Sequence, residues 1–296
     1  MRVAVVGLGG VGGYIAASLK NSSCEIVGFA RGEHLSKIQE SGIKIVEDKK
    51  EYKTDLEATT LDKAEGYFDI VLFCVKSYDL EESYKNISLH IDANSVLVSF
   101  SNGVANGDLL RRLSSSIVLD GCVYILSHIL QAGVIRKKGD IFTAVFGGED
   151  KAAVTKLSKL FEEASLRYKT PSDIKTALWK KYIFISAFAT LTSYYDESIG
   201  AICKNHYDEA EELLKEIANV AFAKGVDIYD EVQKSLVTAE KVPYDSTTSM
   251  QIDFRNKKRD ELETISGYIV KEALKENIEV PLMKKTYEEL LKRHVS

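Results

Sequence analysis

The sequence predicts an α/β fold in two parts: a parallel sheet with crossover helices, followed by an all-helical domain. Three observations carry this. The chain opens on an apolar, largely β-branched run, Arg2 to Val6, which reads as a buried parallel strand. Gly7-x-Gly9-x-x-Gly12 follows at once, and Tyr14 to Lys20 has helical character. After Thr170-Pro171-Ser172-Asp173 breaks the chain, the pattern is helical to the end. Strand, glycine turn and helix in that order are the context in which the glycine motif marks a Rossmann-type dinucleotide-binding domain. The expected division is residues 1–171 as that N-terminal domain and 172–296 as a C-terminal all-α domain.

The glycine turn assigns a role to each of its residues. Gly7 allows a tight turn, Gly9 lets a pyrophosphate approach the backbone, and Gly12 lets helix and strand pack closely. With Leu8, Gly10 and Val11 they form a loop whose N–H groups, at the positive end of the helix, face the phosphates. The second strand, Cys24 to Phe29, ends in Ala30-Arg31-Gly32. In this fold the end of that strand lies beside the adenosine ribose. An Asp or Glu there would repel a 2′-phosphate. Arg31 offers instead a guanidinium fork that grips one, so NADP(H) rather than NAD(H) is the expected cofactor.

Composition bounds the remaining possibilities. At 296 residues the chain exceeds one average domain. A net charge of −5 argues against a general nucleic-acid binder, while leaving room for a local basic pocket. No run approaches the roughly 18 continuous apolar residues of a membrane span. The apolar N-terminus is needed for the first strand, so it does not read as a signal peptide, and a cytoplasmic protein is expected. Cys24, Cys74, Cys122 and Cys203 are widely spaced with no CxxC, which reads as unbridged thiols. His34, His90, His128, His206 and His294 show no ligand spacing, so no metal site is expected.

Further strands are expected at Gly42 to Val46, Ile70 to Val75, Ser95 to Phe100 and Ile117 to Ile125, with charged Glu47–Lys53 as a turn between edge strands. Ligands in open α/β sheets gather at the carboxyl ends of strands. Lys76 and Asn102 lie at or just past two such ends. A solvated lysine and an Asn-Gly turn are equally good readings of these two taken alone. Gly133 to Lys137 and Ile141 to Phe146 flank Lys138-Gly139-Asp140 and read as an antiparallel hairpin. Lys151 to Leu166 is an amphipathic helix. In the second half, helices are expected at Ile174–Tyr195, His206–Lys224 (with Gly225 as its stop), Asp230–Lys241, Thr248–Arg259, Leu262–Glu276 and Leu282–Arg293.

Two chemical candidates stand in the helical half. Lys181 shares a stripe with Ile185, Phe188 and Thr192, at the edge of an uncharged run from Tyr182 to Leu191. A partly desolvated lysine there is a better proton donor or acceptor near neutrality. On periodicity alone a snorkelling surface lysine is the commoner explanation. Lys180 points elsewhere and reads as solvated. The hydroxyl cluster Ser246-Thr247-Thr248-Ser249 either caps a helix or binds a substrate carboxylate, and Glu261 is either a pairing group or a solvated acid.

Taken in order, these pieces resemble the ketopantoate reductases (2-dehydropantoate 2-reductases), nearly end to end. The marks are Gly7-x-Gly9-x-x-Gly12, Arg31, Val75-Lys76-Ser77, Ser101-Asn102-Gly103, Leu178-Trp179-x-Lys181, and Ser249-Met250-x-x-Asp253 with Glu261 eight residues on. The resemblance implies a Rossmann domain joined to a helical domain, with the active site in the cleft. It implies hydride transfer from NADPH to the C2 ketone of 2-dehydropantoate, giving (R)-pantoate for pantothenate and coenzyme A synthesis. By resemblance, Lys181 is the general acid. Lys76, Asn102 and Glu261 contact the cofactor, Asn102 also the substrate, and Ser249 binds the substrate carboxylate with Ser246 near it. A homodimer is expected only by analogy.

The chain departs from the family pattern around that substrate. The family's Asn residues one and two turns after the catalytic lysine are here Ile185 and Ala189; the Asn of a further Asn-Gly pair is Ile199; the Asn three residues before the carboxylate-binding serine is Ser246. Losing a hydrogen-bond partner for a buried hydroxyl costs about 1–3 kcal/mol, enough to change substrate discrimination. Either Thr190, Thr192 and Ser193 rebuild the pocket, or the substrate is a more apolar 2-oxo acid. A non-catalytic NADP(H)-binding protein is the remaining alternative.

Overall fold

The computed structural model describes residues 1–295, and the side chains of His294 and Val295 lie outside what is described. The strands are β1 (Arg2–Val6), β2 (Glu25–Phe29), β3 (Ile43–Val46), β4 (Glu51–Thr54), β5 (Glu57–Thr59), β6 (Ile70–Phe73), β7 (Val96–Ser99), β8 (Ile117–Gln131), β9 (Val134–Gly147) and β10 (Tyr168–Lys169). The helices are α1 (Gly10–Leu19), α2 (Gly32–Ser41), α3 (Leu80–Ile87), α4 (Asn106–Leu113), α5 (Lys151–Glu163), α6 (Ile174–Tyr195), α7 (Ile199–Asn205), α8 (Tyr207–Ala223), α9 (Asp230–Lys241), α10 (Ser249–Arg255), α11 (Leu262–Ile265), α12 (Gly267–Lys275) and α13 (Pro281–Val295). The chain forms two compact units. The first comprises Met1–Ser101 and Ala105–Ile174; the second comprises Asn102–Val104 and the chain from Lys175 onward.

In the first unit, β5-β2-β1-β6-β7-β8 form a continuous parallel sheet. Strands covered on both faces are near-continuously apolar: Ile70–Phe73 and Val96–Ser99 are wholly buried, with Ser99 the one polar residue among them. Side chains of β1 alternate between two cores. Val3 and Val5 pack with Ile15 and Phe161, whereas Ala4 and Val6 pack with Phe73, Leu80 and Leu110. Helices therefore cover both faces. The strand order reverses between β1 and β6, which is where a doubly wound sheet opens its ligand crevice.

Beyond β8 the sheet is mixed: β9 pairs antiparallel with β8 and parallel with β3, and β4 pairs antiparallel with β3. Here the expected hairpin is corrected. There is no turn at Lys138-Gly139-Asp140; β9 is one strand, and the tight connection is Ala132-Gly133. Lys138 stands opposite Leu126 and Phe142 opposite Ile125, so Gly139, Asp140 and Ile141 are pushed out as a bulge. Gly139 is left-handed (φ 66°). A bulge and a turn ask for the same glycine, and only the partner strand tells them apart.

From Lys175 the described residues of the second unit form helices joined by loops, with no strand among them. Trp179, Tyr182, Ile183 and Leu191 of α6 form its core with Leu213, Leu214 and Ile217 of α8 and Leu236 of α9. The single helix expected over Leu262–Glu276 is two helices broken at Ser266. The Ile265 carbonyl accepts from Tyr182 Oη (2.5 Å) and Ser186 Oγ (2.9 Å) of α6, while the Ile269 N–H turns to Ser266 (3.1 Å). The buried α6 hydroxyls thus outcompete one rung of the helix. The helix expected to reach Arg259 stops at Arg255, where Lys257 takes φ 50° and its neighbour Lys258 donates back to Asp253 (2.9 Å). Among the described residues no helix is long and apolar enough to cross a membrane.

Candidate functional site

The glycine loop leaves β1 and enters α1. Gly7 is left-handed (φ 94°), and a Cβ on it would lie 2.8 Å from Val75 Cγ1. A Cβ on Gly12 would collide with the Gly7 carbonyl oxygen, so α1 packs against its own entry turn. Gly9, the N-cap, faces open space, with nothing within 4 Å of a Cβ built there. The first N–H groups of a helix have no intrahelical partner, and no acidic residue stands in the first turn of α1. Room, donors and the helix dipole therefore suit an anion such as a pyrophosphate. The residues present fit a dinucleotide.

The loop is held from both sides. Gly7 N and Leu8 N donate to the Phe29 carbonyl at the end of β2 (2.9 and 3.2 Å). His34 Nδ1 accepts from Gly133 N (3.0 Å), which leaves Nε2–H to donate to the Leu8 carbonyl (2.8 Å). That half-buried imidazole is neutral, its pKa lowered by burial. Below the loop, burial pushes the Cys74 thiol up to about 12, so it offers no nucleophile.

Arg31 caps α2 with its backbone, and its side chain, 86% exposed, meets a partner that the sequence did not suggest. Its Nη2 lies 3.2 Å from Asp79 Oδ2. Asp79 closes a short 3-10 turn, Ser77–Asp79, that begins just after Lys76 at the carboxyl end of β6, and its N–H donates to the Lys76 carbonyl (2.9 Å).

In the second unit, Lys181 Nζ donates to Asn102 Oδ1 (3.2 Å). The structure thus joins two of the candidates, 79 residues apart. Lys180 is not simply solvated: it pairs with Glu231 of α9 (3.2 Å). One turn beyond Lys181, half-buried Ile185 packs on a cluster of Ala189, Met250, Leu262, Ile265, Tyr287 and Leu290. In the hydroxyl cluster it is Thr248 that caps α10, accepting from Gln251 N (3.2 Å) and bonding Thr192 of α6 (2.9 Å). Ser249 is exposed in the first turn of α10. Ser246 works through its main chain, whose carbonyl accepts from Ile199 N (2.8 Å) at the start of α7. Glu261 is buried, 4% exposed, and its carbonyl accepts from Ile265 N (2.9 Å) in α11. Among the described residues no group of three His, Cys, Asp or Glu residues is placed to hold a metal ion.

Comparison with known sequences decides the lineage. The pattern of "Ketopantoate reductase PanE/ApbA" matches residues 3–149, and that of its C-terminal domain matches 173–294. The chain belongs to the ketopantoate reductase family. It is 26% identical over 98% of each chain to an uncharacterized oxidoreductase, YkpB, of Bacillus subtilis. The crystal structure of 2-dehydropantoate 2-reductase from Porphyromonas gingivalis is 30% identical, with a TM-score of 0.85 over 98% of this chain and 99% of that one. A PanE/ApbA family ketopantoate reductase from Ralstonia eutropha superposes at a TM-score of 0.93 over 100% and 99%, at 24% identity. The chain is therefore an oxidoreductase of this family, with the family's fold.

Three family positions that the sequence singled out as departures lie in apolar surroundings. Ala189 is buried against Met250 and Leu262, Ile185 lies on the same cluster, and Ile199 packs into the main helical core. The contacts of His34 with Leu8 and of Asp79 with Arg31 span 26 and 48 residues, so no local pattern in the sequence announces them.

Proposed function

We propose that the chain reduces a 2-oxo acid to the corresponding 2-hydroxy acid with NADPH in the cytoplasm, and that 2-dehydropantoate, giving (R)-pantoate for pantothenate and coenzyme A synthesis, is its substrate. The observation that carries this reading is the hydrogen bond from Lys181 to Asn102. An ammonium held by an amide oxygen beside an apolar wall is positioned to give a proton rather than to wander in solvent.

The loop Gly7-Leu8-Gly9-Gly10-Val11-Gly12 holds the cofactor pyrophosphate on its backbone N–H groups, and Arg31 holds the 2′-phosphate. Lys76, Asn102 and Glu261 are assigned to the rest of the cofactor, as in the family. Bound NADPH supplies the hydride for C2. Lys181 Nζ carries the proton that the carbonyl oxygen takes up, and its positive charge stabilises the negative charge growing on that oxygen. Asn102 Oδ1 orients the ammonium and sets which of its protons points away from the amide. The Ser249 hydroxyl, with Ser246 beside it, receives the substrate carboxylate.

The test is direct. Purified protein with NADPH and 2-dehydropantoate should consume the near-ultraviolet absorbance of NADPH, and Lys181→Ala should lose about 10²–10⁴ of the rate while still binding NADPH. An unchanged rate in Lys181→Ala would remove the acid role. A second reading, favoured by Ile185 and Ala189 within an apolar cluster, keeps the chemistry and moves the substrate to a more apolar 2-oxo acid. Relative kcat/KM across short 2-oxo acids with and without a side-chain hydroxyl separates the two.

A further inference from the structure

The side chain that the sequence assigns to a 2′-phosphate is already engaged. Arg31 Nη2 lies 3.2 Å from Asp79 Oδ2, and Asp79 is the more buried member of the pair, 19% exposed against 86%. The acid is fixed by its backbone. Its N–H closes the 3-10 turn after β6, and its residue is the N-cap of α3 without using its side chain as a cap. The carboxylate is thus held at the carboxyl end of the sheet, while the arginine reaches it from the exposed side.

This arrangement has a consequence for cofactor choice, resting on the dinucleotide reading above. A 2′-phosphate adds roughly −1.5 to −2 charge beside the guanidinium. Placed there, it would share Arg31 with a carboxylate of the same sign, so one half of the fork is contested. An unphosphorylated ribose meets no such conflict, because its 2′-OH is uncharged and can donate to a carboxylate. We propose that Asp79 is a specificity-determining residue that weakens selection for the 2′-phosphate, so that the chain accepts NADH as well as NADPH. Arg31 and Asp79 act as opposed halves of one discriminator, the first favouring the phosphate and the second favouring the free hydroxyl.

The test is equilibrium binding of NADPH and NADH to the full chain, read by the change in nicotinamide fluorescence, which needs no substrate. Wild type should bind both nucleotides with dissociation constants within about tenfold of each other. Asp79→Asn should raise the preference for NADPH by about 5- to 10-fold, the scale of one like-charge contact with a multiply charged group through solvent. Asp79→Glu, which keeps the charge, should stay near wild type, and Arg31→Ala should shift the preference the other way. A wild-type protein selecting NADPH by more than about 100-fold, or an Asp79→Asn protein with the wild-type ratio, overturns the proposal. Binding of neither nucleotide by folded wild type overturns the dinucleotide reading itself.

Discussion

His34 is the strongest test of how the dinucleotide loop is held, because one imidazole makes two bonds to backbone from distant segments. Its Nε2 donates to the Leu8 carbonyl and its Nδ1 accepts from Gly133 N–H. His34→Ala removes both. Each neutral bond contributes about 0.5–1.5 kcal/mol net, and a partner left without water costs about 1–3 kcal/mol. The site is half-buried, so water recovers part of the loss, and about 2–4 kcal/mol is expected. For a unit of this size each kcal/mol moves Tm by about 2–4 °C, so the transition of the first unit should fall by roughly 4–16 °C in scanning calorimetry. The effect carries a pH signature. Burial lowers the His34 pKa from 6.5, so as pH falls below that value the unfolded chain takes up a proton that the folded chain still refuses. The contribution of His34 is complete above about pH 6.5 and shrinks as pH falls towards the depressed folded value. The stability gap between wild type and His34→Ala should therefore narrow between pH 7.5 and pH 5.5. A loss below about 0.5 kcal/mol, or a gap that widens on acidification, refutes the bridging role.

Two further substitutions test the frame around the candidate residues. Gly12→Ala places a methyl group against the Gly7 carbonyl, so α1 must move; a destabilisation of about 1–3 kcal/mol is expected, with NADPH affinity reduced at least tenfold in a fluorescence titration. An unchanged Kd would show that the loop tolerates a side chain there. Thr248→Ala removes the α10 cap and its bond to Thr192, and should cost about 1–2 kcal/mol in urea unfolding. Thr248→Ser, which keeps the hydroxyl, should recover most of it.

The parts of the molecule legible in the sequence are those with a local cause. β1, the glycine loop and α1 follow one another within twenty residues, and each is encoded by its own residues: β-branched apolar side chains, then glycines, then an apolar helix. The long α6 is equally plain, because an uncharged run from Tyr182 to Leu191 has nowhere to go but a core. Features that depart from the sequence pattern have a tertiary cause. The break at Ser266 exists because Tyr182 and Ser186, some eighty residues earlier, claim the Ile265 carbonyl. The bulge at Gly139 exists because β8 continues to Gln131 and needs a partner along its whole length. No window of the sequence contains both sides of either bargain.

The same distinction explains why the reaction type is easier to read than the substrate. Lys181 stands out by contrast, a charge at the border of an apolar run inside α6, and it meets Asn102, just past the end of β7. Side chains that recognise a substrate hydroxyl carry no such contrast. Ile185 and Ala189 look like ordinary helix-core residues, and in the structure they join a continuous apolar layer with Met250, Leu262 and Ile265. An amide introduced at Ala189 alone would be buried in that layer without a partner, at about 1–3 kcal/mol. Reverting one position therefore does not restore a polar pocket. The layer is consistent with itself, which is what the second substrate reading, selection by shape and apolar contact on this side of Lys181, requires. Ile185→Asn, at the half-buried rim, is the one change that tests this without opening the core.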